Sequence, residues 1–291
     1  MFDLCYILSE ISKETWHRIG FIRSLVRARI FETTITQNIV YTFFRFSKLL
    51  DLPILIFESQ DENANGADLE IFIEGASGFV GFECQAKLIS KNQRYPSLRH
   101  ESSGHPQIDL LIAYANRRGT IPLYLLYNHC NGFSSNPQFE ESHLVSMEQF
   151  GCSIIDARLV KSNFTTTSPI DGTLHWRIPT FIKIHSLKAF PISVLACDLI
   201  KLPVDELSHY FGVEQELRVY PKDELLNEIG WLDLLQEKGI SGIDVTEEAI
   251  DIPNLIEENS KVRSQDVFNP KFRLVFSNEP LKGQMRITTF S

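Results

Sequence analysis

The chain lacks the features that mark most specialised protein classes. It has only five cysteines, at positions 5, 84, 130, 152 and 197, and no CxxC pair. An odd number cannot all be bridged, which suits buried thiols in a reducing cytoplasm. No apolar run is long enough to cross a bilayer: the longest, Ala189 to Ile200, is broken by Pro191 and Asp198. The start has no basic segment followed by an apolar block, so no secretory signal is expected. Also missing are GxxxxGK(S/T), GxGxxG after a strand, HExxH and GxSxG. Their absence removes the usual routes to ATP, dinucleotides, zinc proteolysis and serine hydrolysis. His129, Cys130, His143 and Cys152 match no standard zinc spacing. No internal repeat is present.

What is there describes an ordinary folded protein. In 291 residues, 43% are hydrophobic and 22% charged, values typical of globular chains. The length allows one large domain or a core with an appendage. A net charge of −9 speaks against polyanion binding only if it is evenly spread, and it is not. Residues 203–260 hold 15 acids against 3 bases, leaving the remainder at +3. Local potential, not the global sum, steers a charged ligand, so the net charge does not exclude nucleic acid. The acidic block reads as a solvated surface, or as a patch for a basic partner.

Residues 1–50 read as helix, with Phe21, Leu25, Ile30, Ile35, Ile39, Val40, Phe43 and Leu49 at helical spacing and arginines between them. Leu52 to Phe57 is a strand-length apolar run. Pro106 to Arg118 predicts an amphipathic helix ended by Gly119, and Ile121 to Tyr127 a buried strand after it. A helix between strands implies a crossover connection. Glu140–Phe150 predicts a helix and Cys152–Leu159 a further strand. Ser162–Gly172 reads as a loop or boundary, which divides the chain into a core at 1–165 and an extension at 166–291. Within the extension, Trp176–Pro203 is apolar and irregular, Tyr220–Gly239 predicts an acidic helix and Phe268–Phe290 one or two strands.

The stretch with chemical content is Gly66 to Lys87, GADLEIFIEGASGFVGFECQAK. It predicts two strands joined at Ala76-Ser77-Gly78. Strand side chains alternate faces, so Glu83, Gln85 and Lys87 share one face while Asp68 and Glu70 share a face on the partner strand. Pairing of the two would set an acidic cluster beside an ammonium. Hard oxygen donors next to a lysine are what metal-dependent phosphodiester hydrolysis requires. Taken singly, each is equally at home as a turn aspartate, an exposed strand glutamate or a solvated lysine. Downstream lie Lys91, Arg94, Tyr95, Arg99 and His100, basic residues with an aromatic that suit a phosphate backbone or a solvated loop. Gln107 opens the following helix and either faces the site or is a first-turn polar residue.

Asp68 followed one hairpin later by Gln85-Ala86-Lys87 resembles the PD-(D/E)xK nuclease superfamily in its D…QxK form, as in Mrr-like restriction enzymes and some anti-phage effectors. With Glu32 and the later Pro122-Leu123-Tyr124-Leu125-Leu126-Tyr127-Asn128, the set is similar to an uncharacterised bacterial family assigned to that superfamily. The resemblance covers residues 28–160. It departs from the pattern at Gln85, where an acid is usual, and at Ala67, where a proline is.

The resemblance implies an α/β fold with a restriction-endonuclease-like mixed central sheet flanked by helices and a C-terminal extension. It also implies an endonuclease using Mg²⁺, with Mn²⁺ as the alternative, on double-stranded DNA. Asp68 and Gln85 would hold the metal, Lys87 would position the attacking water, and Glu32 and Glu83 would assist. Glu83 or Glu70 could restore the charge that Gln85 lacks. A role in defence against phage follows from the same likeness, and control by a sensor protein or by self-association is expected. Two alternatives stay open: a non-catalytic nucleic-acid or protein interaction module on this fold, and a ribonuclease.

Overall fold

In the first fifty residues, apolar side chains recur every three or four positions. In the computed structural model they form two helices, α1 (Leu4–Ser24) and α2 (Glu32–Leu50). The structure describes residues 4–25, 28–50, 54–58, 68–102, 104–130, 146–170, 172–212, 217–228 and 272–278. His143, most of the helix expected at 140–150, the acidic stretch after 228 and the final expected strand lie outside these residues.

Strand β1 (Ile54–Glu58) precedes the hairpin of β2 (Leu69–Gly75) and β3 (Gly78–Leu88). Gly78 closes the turn at φ 136°, and a Cβ there would meet the Tyr220 carbonyl oxygen at 2.9 Å. Two short strands, β4 (Glu101–Ser102) and β5 (His105–Pro106), lead into α3 (Gln107–Arg118). Gly119 caps this helix in the left-handed region at φ 66°. The crossover delivers β6 (Ile121–Tyr127) parallel to β3, with Gln85 beside Tyr124 and Lys87 beside Leu126. Next come β7 (Cys152–Asp156) and α4 (Ala157–Phe164). Here the strand expected to reach Leu159 stops early, because Asp156 takes the Arg158 N–H at 2.6 Å and caps a helix. A projecting hairpin, β8 (Thr165–Thr167) and β9 (Leu174–Trp176), replaces the expected loop. Short elements follow: α5 (Phe181–His185), β10 (Phe190–Pro191), α6 (Ile192–Cys197), α7 (Val204–Tyr210), β11 (Val219–Tyr220), α8 (Lys222–Glu228) and β12 (Phe272–Phe276).

The main sheet runs β1-β12-β2-β3-β6-β7-β10, with β11 added to β3. It is mixed, and helices cover both faces: an α/β fold. One face packs Ile71, Phe82, Cys84, Ala86, Leu123 and Leu125 against Ile7, Ile11, Ile35, Ile39 and Phe43 of α1 and α2. The other packs Tyr124, Leu126 and Ile155 against Ile108 and Leu111 of α3 and Phe181 and Ile184 of α5. Strand alternation therefore turns Glu83, Gln85 and Lys87 toward the α3 side.

Strand β12 runs parallel to β2 and antiparallel to β1, between the two. Residues on both sides of position 165 thus share one sheet, and the region expected as an extension supplies an internal strand.

A disulfide joins Cys5 in α1 to Cys197 at the end of α6, across 192 residues. The expected buried thiols are Cys84, Cys130 and Cys152, which lie outside this bond, while the Cys5–Cys197 pair is a correction to an unbridged reading of those two positions. Closing so long a loop restricts the unfolded chain, so Cys197→Ser is expected to lower unfolding free energy by about 2–4 kcal/mol in urea titration. Dithiothreitol should do the same to the wild type and nothing more to the variant.

Beneath α5 lies a buried polar chain. Tyr95 donates its hydroxyl proton to Asn128 Oδ1, and Asn128 Nδ2 donates to Phe150 O at 2.8 Å. His185 Nδ1 donates to Phe181 O at 2.8 Å, and its Nε2 lies 3.0 Å from Ser153 Oγ. Burial pulls the His185 pKa down from 6.5 to about 4. The folded state therefore binds this proton less readily than the unfolded state. Stability from the neutral ring is present above pH 6.5 and is lost as pH falls toward 4, by roughly 3 kcal/mol. His185→Gln should flatten the pH dependence of urea stability in that window; an unchanged slope would remove His185 from the account.

Candidate active site

Strand β3 is longer than β2, and its far end is where the candidate residues gather. Pairing ends at Leu69 opposite Cys84, so Asp68 stands level with Gln85. The Asp68 N–H still donates to Cys84 O at 3.0 Å. Beyond that point β3 would present unpaired N–H groups, an edge that must be satisfied. Two carboxylates satisfy it. Asp68 Oδ2 accepts from Ala86 N at 2.8 Å, and Glu32 Oε2 accepts from Leu88 N at 2.7 Å. Glu32 reaches the strand because it opens α2 and that helix starts over this end of the sheet.

Lys87 is 4% exposed, and its ammonium donates to Gln107 Oε1 at 3.2 Å. Gln107 is the first residue of α3, so the crossover helix places the lysine's partner. Of the two readings of Gln107 from sequence, the structure takes the one that faces the lysine. Glu32 reports on the group's closeness. Burial raises its pKa, Lys87 lowers it, Asp68 raises it again, and the Leu88 N–H lowers it. Glu32, Asp68, Gln85 and Lys87 therefore converge at one end of β3, with Gln107 behind the lysine.

Glu83 and Glu70 are held elsewhere. Both are fully buried and face two arginines beneath the sheet. Arg118 Nη2 lies 3.0 Å from Glu70 Oε1, and Arg118 Nε lies 3.6 Å from Glu83 Oε1. Arg273 of β12 also binds Glu70, and Thr120 donates its hydroxyl to Glu83 Oε1 at 3.2 Å. Burial and the charge of Glu70 push the Glu83 pKa well up, with Arg118 opposing. Burial acts on Glu70 in the same sense, yet Arg273 and Arg118 outweigh it and hold its pKa low. The two carboxyls are thus pushed apart, Glu83 upward and Glu70 downward. The roles expected for Glu83 and Glu70 beside the metal give way to a buried ion cluster. Two glutamates opposite each other on the neighbouring strands β2 and β3 are the available signal, since such carboxyls need cations.

Among the residues expected to meet nucleic acid, Lys91, Arg94, Arg99 and His100 are exposed along the segment that follows β3. Tyr95 is not among them: it is 0% exposed, and its hydroxyl is committed to Asn128.

A hard divalent cation needs oxygen donors. Among the described residues no group of three or more His, Cys, Asp or Glu could hold a metal. The donors present are two carboxylates, Glu32 and Asp68, with the Gln85 amide oxygen as a neutral third. Asp68 raises the Glu32 pKa, a repulsion of the kind a cation relieves, and the three oxygen donors bring less negative charge than three acids would.

No helix among the described residues is long and apolar enough to cross a membrane. No curated protein and no solved structure matches the chain. Residues 4–259 match the model of a family of unknown function, DUF6615. The match spans most of the chain, Glu32, Asp68, Gln85 and Lys87 included, and the protein belongs to that family.

Proposed function

We propose that the protein is a divalent-metal-dependent endonuclease that hydrolyses phosphodiester bonds in DNA, and that it acts in the cytoplasm as an effector of defence against phage. The carrying observation is the convergence of Glu32, Asp68, Gln85 and Lys87 at one end of β3, with Lys87 hydrogen-bonded to Gln107. Their order resembles the D…QxK form of the PD-(D/E)xK superfamily, and a mixed sheet with a helical crossover between β3 and β6 is compatible with it. The defence role rests on that likeness alone. A reducing cytoplasm would not favour the Cys5–Cys197 bond, the one feature that sits awkwardly with this compartment.

Glu32, Asp68 and Gln85 are the residues that would hold Mg²⁺ or Mn²⁺. When bound, the ion supplies neutralisation of phosphate charge and a water of lowered pKa. The Lys87 ammonium would donate hydrogen bonds that orient the attacking water and stabilise charge on the phosphoryl oxygens. Gln107 fixes that ammonium by accepting one of its hydrogen bonds. Lys91, Arg94, Arg99 and His100 supply positive charge for the adjoining backbone phosphates. Because such an activity endangers host DNA, a sensor partner or self-association is part of the proposal.

One observation favours a second reading. Both carboxylates already serve β3 as edge caps, a role that a non-catalytic interaction module would also need. Plasmid DNA with Mg²⁺ or Mn²⁺ separates the two readings. Cleavage lost in Lys87→Ala and in Asp68→Ala supports the nuclease. Binding without metal-dependent cleavage supports the module, and an RNA arm tests the ribonuclease.

A further inference from the structure

Two phenylalanines stand in solvent at the end of the molecule that carries the candidate site. Phe21 is 65% exposed and Phe31 is 62% exposed. Phe31 immediately precedes Glu32. Phe21 lies in the last turn of α1, whose Arg23 donates to His129 O at 2.9 Å and to Ile89 O. Ile89 directly follows β3, and His129 lies two residues beyond the end of β6. The last turn of α1, which holds Phe21, and the start of α2, where Phe31 adjoins Glu32, therefore both lie at this end of the sheet. Arg29, also exposed, lies in that link. On the other side of β3's end, the segment 89–102 carries exposed Lys91, Arg94 and Arg99 against a single acid, Glu101. Among the described residues, none of these four cations is paired with a carboxylate.

Exposed large rings cost solvation unless something covers them. A protein partner would be expected to meet an apolar patch with a mixed rim. Here the rim is cationic, which complements a polyanion. Rings beside unpaired guanidinium and ammonium groups are the combination that binds unpaired nucleic-acid strands, because bases stack on aromatic faces while cations follow the phosphates. In a duplex the same base faces are already stacked on each other and hidden.

We propose that the segment entering the site is an unpaired nucleic-acid strand, whose bases stack on Phe21 and Phe31 while Arg29, Lys91, Arg94 and Arg99 track its phosphates. The inference rests on the nuclease reading for what happens to that strand, and it departs from the expectation of a continuous duplex. It implies cutting at ends, gaps, bubbles or displaced strands.

The test is binding without cleavage, on the full chain carrying Lys87→Met, by fluorescence anisotropy with Ca²⁺ as the only divalent ion. The probes are labelled oligothymidylate, labelled oligouridylate and a DNA duplex of equal length. Tighter binding of a single strand than of duplex is expected, and a preference for either sugar supports the proposal while identifying the strand. Phe31→Ala and Phe21→Ala should each weaken single-strand binding about tenfold and leave duplex binding unchanged; Phe31→Trp should keep it. Equal binding of duplex and single strand, or indifference to both alanine substitutions, overturns the proposal. Both rings are exposed, so the substitutions leave the core alone. Failure of wild-type cleavage would sink the nuclease reading but not this one, since the anisotropy does not depend on turnover.

Discussion

Lys87→Met is expected to lower metal-dependent cleavage of plasmid DNA by at least about a hundredfold, the scale seen when a preorganised donor to developing charge is removed, with little change in urea stability. Methionine fills the volume of the lysine stem and removes only the ammonium, whose partner is Gln107 Oε1 at 3.2 Å. Two companion substitutions carry more information. Asp68→Asn and Glu32→Gln keep an oxygen that can accept from Ala86 N and Leu88 N, so the exposed edge of β3 stays capped. They remove only the negative charge. If the carboxylates exist to hold a cation, each variant loses most cleavage and needs much more Mg²⁺, while folding as before. If they exist to cap the strand, both retain wild-type behaviour. Cleavage equal to wild type in Asp68→Asn and Glu32→Gln would leave the proposed metal site without its charge, and the nuclease reading would fall with it.

Much of this end of the molecule could be read from local pattern. Period-two alternation placed Gln85 and Lys87 on a common face, and the Ala76-Ser77-Gly78 turn announced the hairpin that brings Asp68 level with Gln85. Helical periodicity located α3 to within a residue, with Gly119 as its stop. What local pattern could not provide were choices made by distant chain. Glu83 has the same parity as Gln85, yet its fate is decided by Arg118 and by Arg273, which lies 190 residues away in sequence. Tyr95 sits in a basic, polar stretch that reads as surface, and it is buried because its hydroxyl finds Asn128 at the end of β6. The division at 165 failed to anticipate β12 for the same reason. A five-residue strand with ordinary alternation carries no mark of being internal to a sheet, and its neighbours β1 and β2 are both far away in sequence.

Arg273→Met is expected to cost about 3–5 kcal/mol of stability, the usual penalty for removing one partner of a buried ion pair. Arg273 is the only charged residue of β12 and binds Glu70, whose side chain is 0% exposed. Its loss leaves Glu70 and Glu83 to share Arg118. Two buried carboxyls then face one guanidinium, and the Glu83 pKa, already pushed up by burial and by Glu70, rises further when the opposing charge of Arg273 is removed. A carboxyl whose folded pKa lies above its unfolded value gives stability at low pH that is lost as pH rises through the folded pKa. The deficit of Arg273→Met should therefore widen from mildly acidic to alkaline pH. Adding Glu70→Gln removes the charge left without its partner, and the double variant should recover a good part of the loss, a coupling measurable as a double-mutant cycle in urea. Hydrogen exchange should quicken first in residues 272–276 and 54–58, because β12 is what ties β1 to the rest of the sheet. A variant within about 1 kcal/mol of wild type, with exchange unchanged in both strands, would mean that β12 is held by its apolar side chains, Leu274, Val275 and Phe276, and not by the charge beneath it.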